Sequence, residues 1–202
     1  MTQEPHKFNT QPTQLSFTPP RTIVLVGLMG AGKTSIGKRL AKRLEVPFVD
    51  SDHEVEKAAG CTIKEIFDLF GEDSFRNGER RVIARLLDQP IQVLATGGGS
   101  FMDPETRQLV KDKAISVWLK ADLDTLVSRV SRRTDRPLLE EPASQRATLE
   151  ELISIRYPVY QEADVAIDTF DEPANVTVDR VILGLSEYIR DTYPTQYILR
   201  NV

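Results

Sequence analysis

The run "TIVLVGLMGAGKTSIGKRL", residues 22–40, constrains the fold more than any other stretch of the chain. Its first six residues are apolar and largely β-branched, as expected of a strand buried on both faces. Ile36, Leu40 and Leu44 then recur every four residues, which predicts an amphipathic helix over 34–44. Between them, Gly27 to Thr34 fits G-x-x-x-x-G-K-[ST]. Gly27, Gly30 and Gly32 let backbone N–H groups turn inward around phosphate oxygens, and the following helix aims its N-terminal dipole at them. Lys33 would reach the β- and γ-phosphates, and the Thr34 hydroxyl would bind Mg²⁺. The nucleotide contacts expected here are Gly30, Ala31, Gly32, Lys33, Thr34 and Ser35. A glycine-rich turn that matches by chance is the competing explanation. The coincidence of pattern with flanking strand and helix weighs against it.

The rest of the chain alternates strand and helix. Further strands are expected at 47–50, 91–96, 114–119 and 164–169, with helices at 104–112, 121–130 and 176–189. That alternation predicts an α/β fold, a three-layer parallel sheet covered on both faces. Two segments interrupt it: a charged helical stretch at about 51–88 and an arginine- and proline-rich loop at about 131–145. Inserts of this kind tend to carry substrate binding and gating. The 202 residues suit one domain, expected over 21–190. Residues 1–20, polar and carrying Pro5, Pro12, Pro19 and Pro20, are expected to form a disordered extension, and 191–202 a tail.

Charge and cysteine usage narrow the class. A net charge of −4 argues against a general nucleic-acid binder. The lone Cys61 excludes an intrachain disulfide framework and suits a reducing cytosol. No apolar run approaches the ~20 residues that span a bilayer, and the N-terminus lacks the apolar core of a secretory signal. The expectation is a cytoplasmic monomer with no nucleic-acid or membrane partner.

The nucleotide pattern alone does not name a reaction. The strand 91–96 ends in Thr96 rather than in the Mg²⁺-holding acid of many switches and motors, and the guanine-reading NKxD is absent. The nearest carboxylates are Asp50 and Asp52 in "VDSD". Two residues apart, they point to one side in an extended chain. Asp50 can then hold the Mg²⁺ water shell, and Asp52 can orient or deprotonate an acceptor hydroxyl. Helix N-capping is the alternative for both, and it can coexist with these roles. In "DSFRNGERRV", Arg76, Glu79 and Arg80 share a helical face, with Val82, Ile83, Leu86 and Leu87 on the buried one. Arg76 suits a bidentate grip on a carboxylate, with Glu79 holding it in place. Taken alone, a solvated, salt-bridged surface explains this run better. Arg132, Arg133 and Arg136 crowd the second insert, where a closing loop would shed water from the γ-phosphate. Arg156 follows with Tyr157 and Tyr160, and Pro158 suits a helix kink or end. Gly97, Gly98 and Gly99 close the strand 91–96. They form either a loose loop or a place where something lies directly against the backbone.

These residues resemble the shikimate kinase family. The resemblance covers roughly residues 20–190 and rests on "GLMGAGKT", "FVDSD", "FRNGE", "TGGGS" and "RPLL" in that order, followed by "RYPVY". It implies an NMP-kinase-like fold, with a five-stranded parallel sheet, a substrate-binding insert after the second strand, and a lid. It implies transfer of phosphate from MgATP to the 3-hydroxyl of shikimate, a step of aromatic amino acid biosynthesis. By motif position, Asp52, Arg76, Arg156 and the backbone at Gly97, Gly98 and Gly99 would bind shikimate. Arg136 would be the lid arginine on the ATP phosphates, and Lys33, Asp52 and Arg136 would carry catalysis. Thr34 and Asp50 would serve Mg²⁺. A carboxylate ligand would explain two arginines in an acidic protein, and a ring against bare backbone would explain the glycines. One departure concerns the lid, where only Asp135 separates Thr134 from Arg136. That spacing is shorter than is common in the family, which leaves the adenine-side role of Arg133 open. Competing readings are a gluconate or nucleotide kinase, and a regulatory module that binds nucleotide without turnover.

Overall fold

The computed structural model describes residues 16–132, 142–196 and 199–200. Five strands form one parallel sheet: β2 (Thr22–Val26), β3 (Phe48–Asp50), β4 (Val93–Ala95), β5 (Ala114–Ala121) and β6 (Val165–Thr169), in the order β3-β4-β2-β5-β6. The α/β class, the five parallel strands and their positions are as expected from the sequence. β2 lies at the centre with all five residues buried, which is why it reads as an unbroken apolar run. Its neighbours β4 and β5 pair on opposite sides, Leu25 with Ala95 and with Val117. A crevice opens at the carboxyl ends of strands where such an order reverses.

Helices cover both faces. α1 (Lys33–Leu44) buries Ile36, Leu40 and Leu44, the three residues whose spacing predicts it. α2 (Ser51–Ala59) and α3 (Ile63–Leu87) form the first insert. The stretch divides at Gly60, and Thr62 restarts it with a capping box to Glu65. α3 breaks its helical path at Gly71 (φ 76°, ψ 173°), so its first turns and its remainder are two helical pieces. A short 3₁₀ turn (Ser100–Met102) follows the triple glycine, and α4 (Pro104–Lys113), α5 (Leu123–Ser131), α6 (Pro142–Tyr160) and α7 (Ala174–Thr192) complete the layers. Pro158 sits in the last turn of α6, so the helix runs on through it to Tyr160.

The chain joins the folded body earlier than the boundary expected at residue 21. β1 (Ser16–Phe17) pairs antiparallel with β7 (Leu199–Arg200), and Phe17 is fully buried. An apolar ring with a place in the core outweighs the polar, proline-bearing context that surrounds it in sequence. The same pairing brings part of the expected C-terminal tail back onto the body.

Candidate active site

A cleft of about 590 Å³ lies at the carboxyl ends of β2, β3 and β4. On its phosphate side the loop between β2 and α1 takes left-handed backbone at Gly27 (φ 142°), Gly30 (φ 83°) and Gly32 (φ 93°). A Cβ at Gly27 would stand 2.8 Å from the Leu119 carbonyl oxygen, so no other residue fits there. Lys33 starts α1, and its Nζ donates to the carbonyls of Gly27 (2.7 Å) and Leu28 (3.0 Å). The ammonium thus lies curled over the loop that would hold the phosphates. Gly30, Gly32, Thr34 and Ser35 line the same cavity.

Thr34 Oγ1 donates to Asp50 Oδ2 at 2.9 Å. Asp50 ends β3 and also caps α2, its Oδ1 accepting the Asp52 N–H at 3.1 Å. The capping alternative therefore holds for Asp50. Asp52 stands in the first turn of α2, so the extended-chain argument for the pair fails: the strand ends between them. Both still line the cleft, because α2 begins at the very edge of the sheet. Thr34, Asp50 and Asp52 offer only hard oxygen donors. Among the described residues no three acidic, histidine or cysteine side chains converge as a metal cage. This set fits a Mg²⁺ that keeps several waters and shares its ligands with substrate phosphates.

Two of the predicted arginines, Arg76 and Arg156, line the other side of the cleft. Arg76 on α3 donates to Glu79 at 2.9 Å and to Glu72 at 3.1 Å. Glu79 is buried and also accepts the Ser100 hydroxyl at 2.5 Å. Burial alone would lower the Arg76 pKa, but the bonds to Glu79 and Glu72 outweigh it and hold the guanidinium above its ordinary value. Arg80 does not join the cleft. It reaches Asp103 and Glu105 of α4, where the capping carboxylate of Asp103 neutralises it. Arg156 on α6 donates to the Gly98 carbonyl at 2.9 Å. Ile63, Phe67 and Phe75 supply an apolar wall, with the rings of Phe67 and Phe75 centred 4.7 Å apart across the Gly71 break.

The three glycines are not equivalent. A Cβ at Gly97 would lie 2.7 Å from Asp52 Oδ1 and 2.9 Å from Glu79 Oε1, and one at Gly99 would lie 2.7 Å from Arg76. These two positions are bare so that the protein's own side chains can lie against them. At Gly98 the closest atoms to a Cβ, Arg156 and the Met29 amide nitrogen, stand at an ordinary 3.5 Å. The fold itself therefore has room for a Cβ there, on the cleft wall. Gly98→Ala is therefore expected to fold with its melting temperature within a few degrees of wild type while weakening acceptor binding at least tenfold. Gly99→Ala is expected to lower the melting temperature as well. Thermal denaturation and acceptor titration of both variants check this.

The far wall carries Arg129, which no motif in the sequence singles out, beside Arg132. Arg129, in the last turn of α5, approaches the carbonyls of Gly30 (3.4 Å) and Ala31 (3.3 Å) and also bonds the Phe170 carbonyl. Burial pulls its pKa below the ordinary arginine value. Arg132 lines the cleft and pairs with Asp171 at 2.8 Å. Arg133 and Arg136 lie outside the described residues. A signal for Arg129 existed, three residues after the core residue Leu126 and beside the phosphate loop's strand partner. It was hidden by the denser arginine cluster that follows.

A profile of the shikimate kinase family matches residues 29–186. The shikimate kinase of Rhodopseudomonas palustris is 52% identical over 169 residues, which is 84% of this chain and 83% of that protein. The shikimate kinase of Caulobacter vibrioides is 55% identical over 169 residues, 83% of each chain. Among solved structures, shikimate kinase from Acinetobacter baumannii in complex with shikimate superposes with a TM-score of 0.77 at 36% identity, covering 86% of this chain and 95% of that one. A gluconokinase from Sinorhizobium meliloti shares the fold, with a TM-score of 0.61 at 21% identity over 88% of this chain and 98% of its own. With a glycine-rich loop of the nucleotide-binding pattern and these likenesses over most of its length, the chain belongs to the shikimate kinase family, ATP-dependent phosphotransferases of shikimate.

Proposed function

We propose that the cleft transfers the γ-phosphoryl group of ATP in line to the 3-hydroxyl of shikimate. The observation that carries this reading is the pairing of Arg76 and Arg156 around Gly97–Gly99, beside Asp52 and within one cavity with Lys33 and Thr34. Two guanidinium groups match the carboxylate of a small ring acid, and the apolar wall of Phe67 and Phe75 matches its carbon face. Asp52 accepts hydrogen bonds from the ring hydroxyls and orients the attacking one. Lys33 leaves the carbonyls of Gly27 and Leu28 for the transferring phosphate. Thr34 and Asp50 would hold Mg²⁺, which supplies charge neutralisation between the phosphates when bound. Arg136, by its position in "RPLL", would complete the charge around the γ-phosphate. Catalysis on this reading comes from positioning and from exclusion of water, which would otherwise take the phosphate.

The reading includes a monomer working in the cytosol; the lone Cys61 supports the reducing compartment. No helix among the described residues is long and apolar enough to cross a membrane. The test is ADP release from MgATP. Release is expected to depend on shikimate, to be absent with gluconate, and to stop when Mg²⁺ is chelated. Release driven by gluconate would favour the gluconokinase reading. Release without any acceptor, or none at all, would reduce the protein to a nucleotide-binding module.

A further inference from the structure

Tyr160 closes α6 and is the bulkiest fully buried side chain among the described residues. Its ring packs among Phe101, Trp118 and Tyr157, with centroids at 6.4, 6.1 and 6.2 Å. Its hydroxyl does not end in this apolar setting. It donates to the carbonyl oxygen of Gly98, the same atom that accepts from Arg156. Residues 156 and 160 are one helical turn apart, so α6 presents both donors on one face to one acceptor. A carbonyl oxygen has two lone pairs, and here both are occupied.

We propose that Tyr160 is a positioning residue for the acceptor: its hydroxyl fixes the Gly98–Gly99 peptide plane and, through the shared carbonyl, the Arg156 guanidinium. A peptide is planar and trans, so a carbonyl held toward α6 holds the following N–H, that of Gly99, pointing the opposite way. The other two carbonyls of the loop are also engaged: Gly97 accepts from the Ser100 N–H at 3.2 Å and Gly99 from the Met102 N–H at 3.0 Å. The Gly97 N–H donates to Ser51 Oγ at 3.2 Å. This leaves the N–H groups of Gly98 and Gly99 as the donors the loop can offer a ligand. A glycine peptide has no side chain to steady it, so the two hydrogen bonds on the Gly98 carbonyl set its plane. Burial raises the Tyr160 pKa, which keeps the phenol protonated and donating across the physiological range. Arg156 gains as well. With one nitrogen anchored on the main chain, the rest of its planar fork is set in direction for a carboxylate.

The inference rests on the shikimate kinase reading, and the test separates the two. Tyr160→Phe keeps the ring and removes only the hydroxyl. Tyr157→Phe is the control, since the Tyr157 hydroxyl bonds the Ala121 carbonyl and Tyr157 is not part of the cleft wall. Steady-state kinetics and calorimetric shikimate binding are measured for wild type and both variants. Tyr160→Phe is expected to raise KM and Kd for shikimate about three- to tenfold, as for loss of one buried hydrogen bond, with KM for ATP unchanged and kcat within about twofold. Tyr157→Phe is expected to leave all of these near wild type. An unmoved shikimate KM in Tyr160→Phe overturns the proposal. So does a uniform loss of kcat and both KM values that tracks a fall in melting temperature, or an equal effect of Tyr157→Phe. A wild type that neither binds nor phosphorylates shikimate sinks the underlying reading instead, and the positioning role with it.

Discussion

Arg76→Ala is expected to lower kcat/KM for shikimate by about 10²–10³, most of it in KM, and to leave the KM for ATP nearly unchanged. The magnitude follows from losing two charge-assisted hydrogen bonds to a carboxylate, each about 1.5–3 kcal/mol, with some of that recovered by water. The same change is expected to destabilise the fold. Glu79 is buried against Arg76, with a side chain 3% exposed, and would lose its ion-pair partner. Removing one partner of such a pair costs about 3–5 kcal/mol, or about 10 °C in melting temperature for a chain of this size. The double variant Arg76→Ala/Glu79→Gln separates the two effects. It removes the stranded charge, so it is expected to regain most of the lost melting temperature and none of the shikimate affinity. Thermal denaturation beside acceptor-dependent ADP release gives both readings from one set of proteins. Recovery of activity in the double variant would show that Arg76 acts only through the fold.

Asp52→Asn is expected to be the costliest isosteric change, lowering kcat by about 10²–10⁴ with KM for both substrates within a few-fold, as for loss of a proton acceptor placed on the nucleophile. The amide fits the same space, so the fold should be unaffected. Asparagine still accepts a hydrogen bond through its Oδ1 but cannot take a proton. A loss under about tenfold would therefore mean that Asp52 orients the hydroxyl without serving as a base. Single-turnover measurements at saturating shikimate distinguish a slowed chemical step from slowed product release.

Much of this architecture was legible because it is written in contiguous residues. The phosphate loop is a local object: its glycines, the strand before it and the helix after it lie within residues 22–44. The strands of a parallel sheet buried on both faces read as apolar runs, and all five were placed. Phe17 was misplaced because one buried ring in a polar, proline-bearing stretch has no periodicity to reveal it. The geometry of Asp50 and Asp52 is not legible in the same way, because the strand ends between them and a two-residue argument is valid only while the backbone stays extended.

The sheet, the nucleotide loop and the family are legible in the residues alone, and Asp52, Arg76 and Arg156 can be named as cleft candidates. Those follow from local backbone preference and from motifs of fixed spacing. Tertiary structure alone decided which neighbours those residues keep. Arg76 faces the cleft while Arg80, one turn on, is taken by Asp103, the residue that caps α4. Arg129 reaches the phosphate loop across nearly a hundred residues of chain. Phe67 meets Phe75 only because α3 breaks at Gly71. Gly97 and Gly99 make room for side chains from α2 and α3, while Gly98 has only ordinary contacts around it. Each of these depends on how separate elements pack. Side-chain contacts are set by distances of a few ångströms between elements, and no spacing along one segment encodes them.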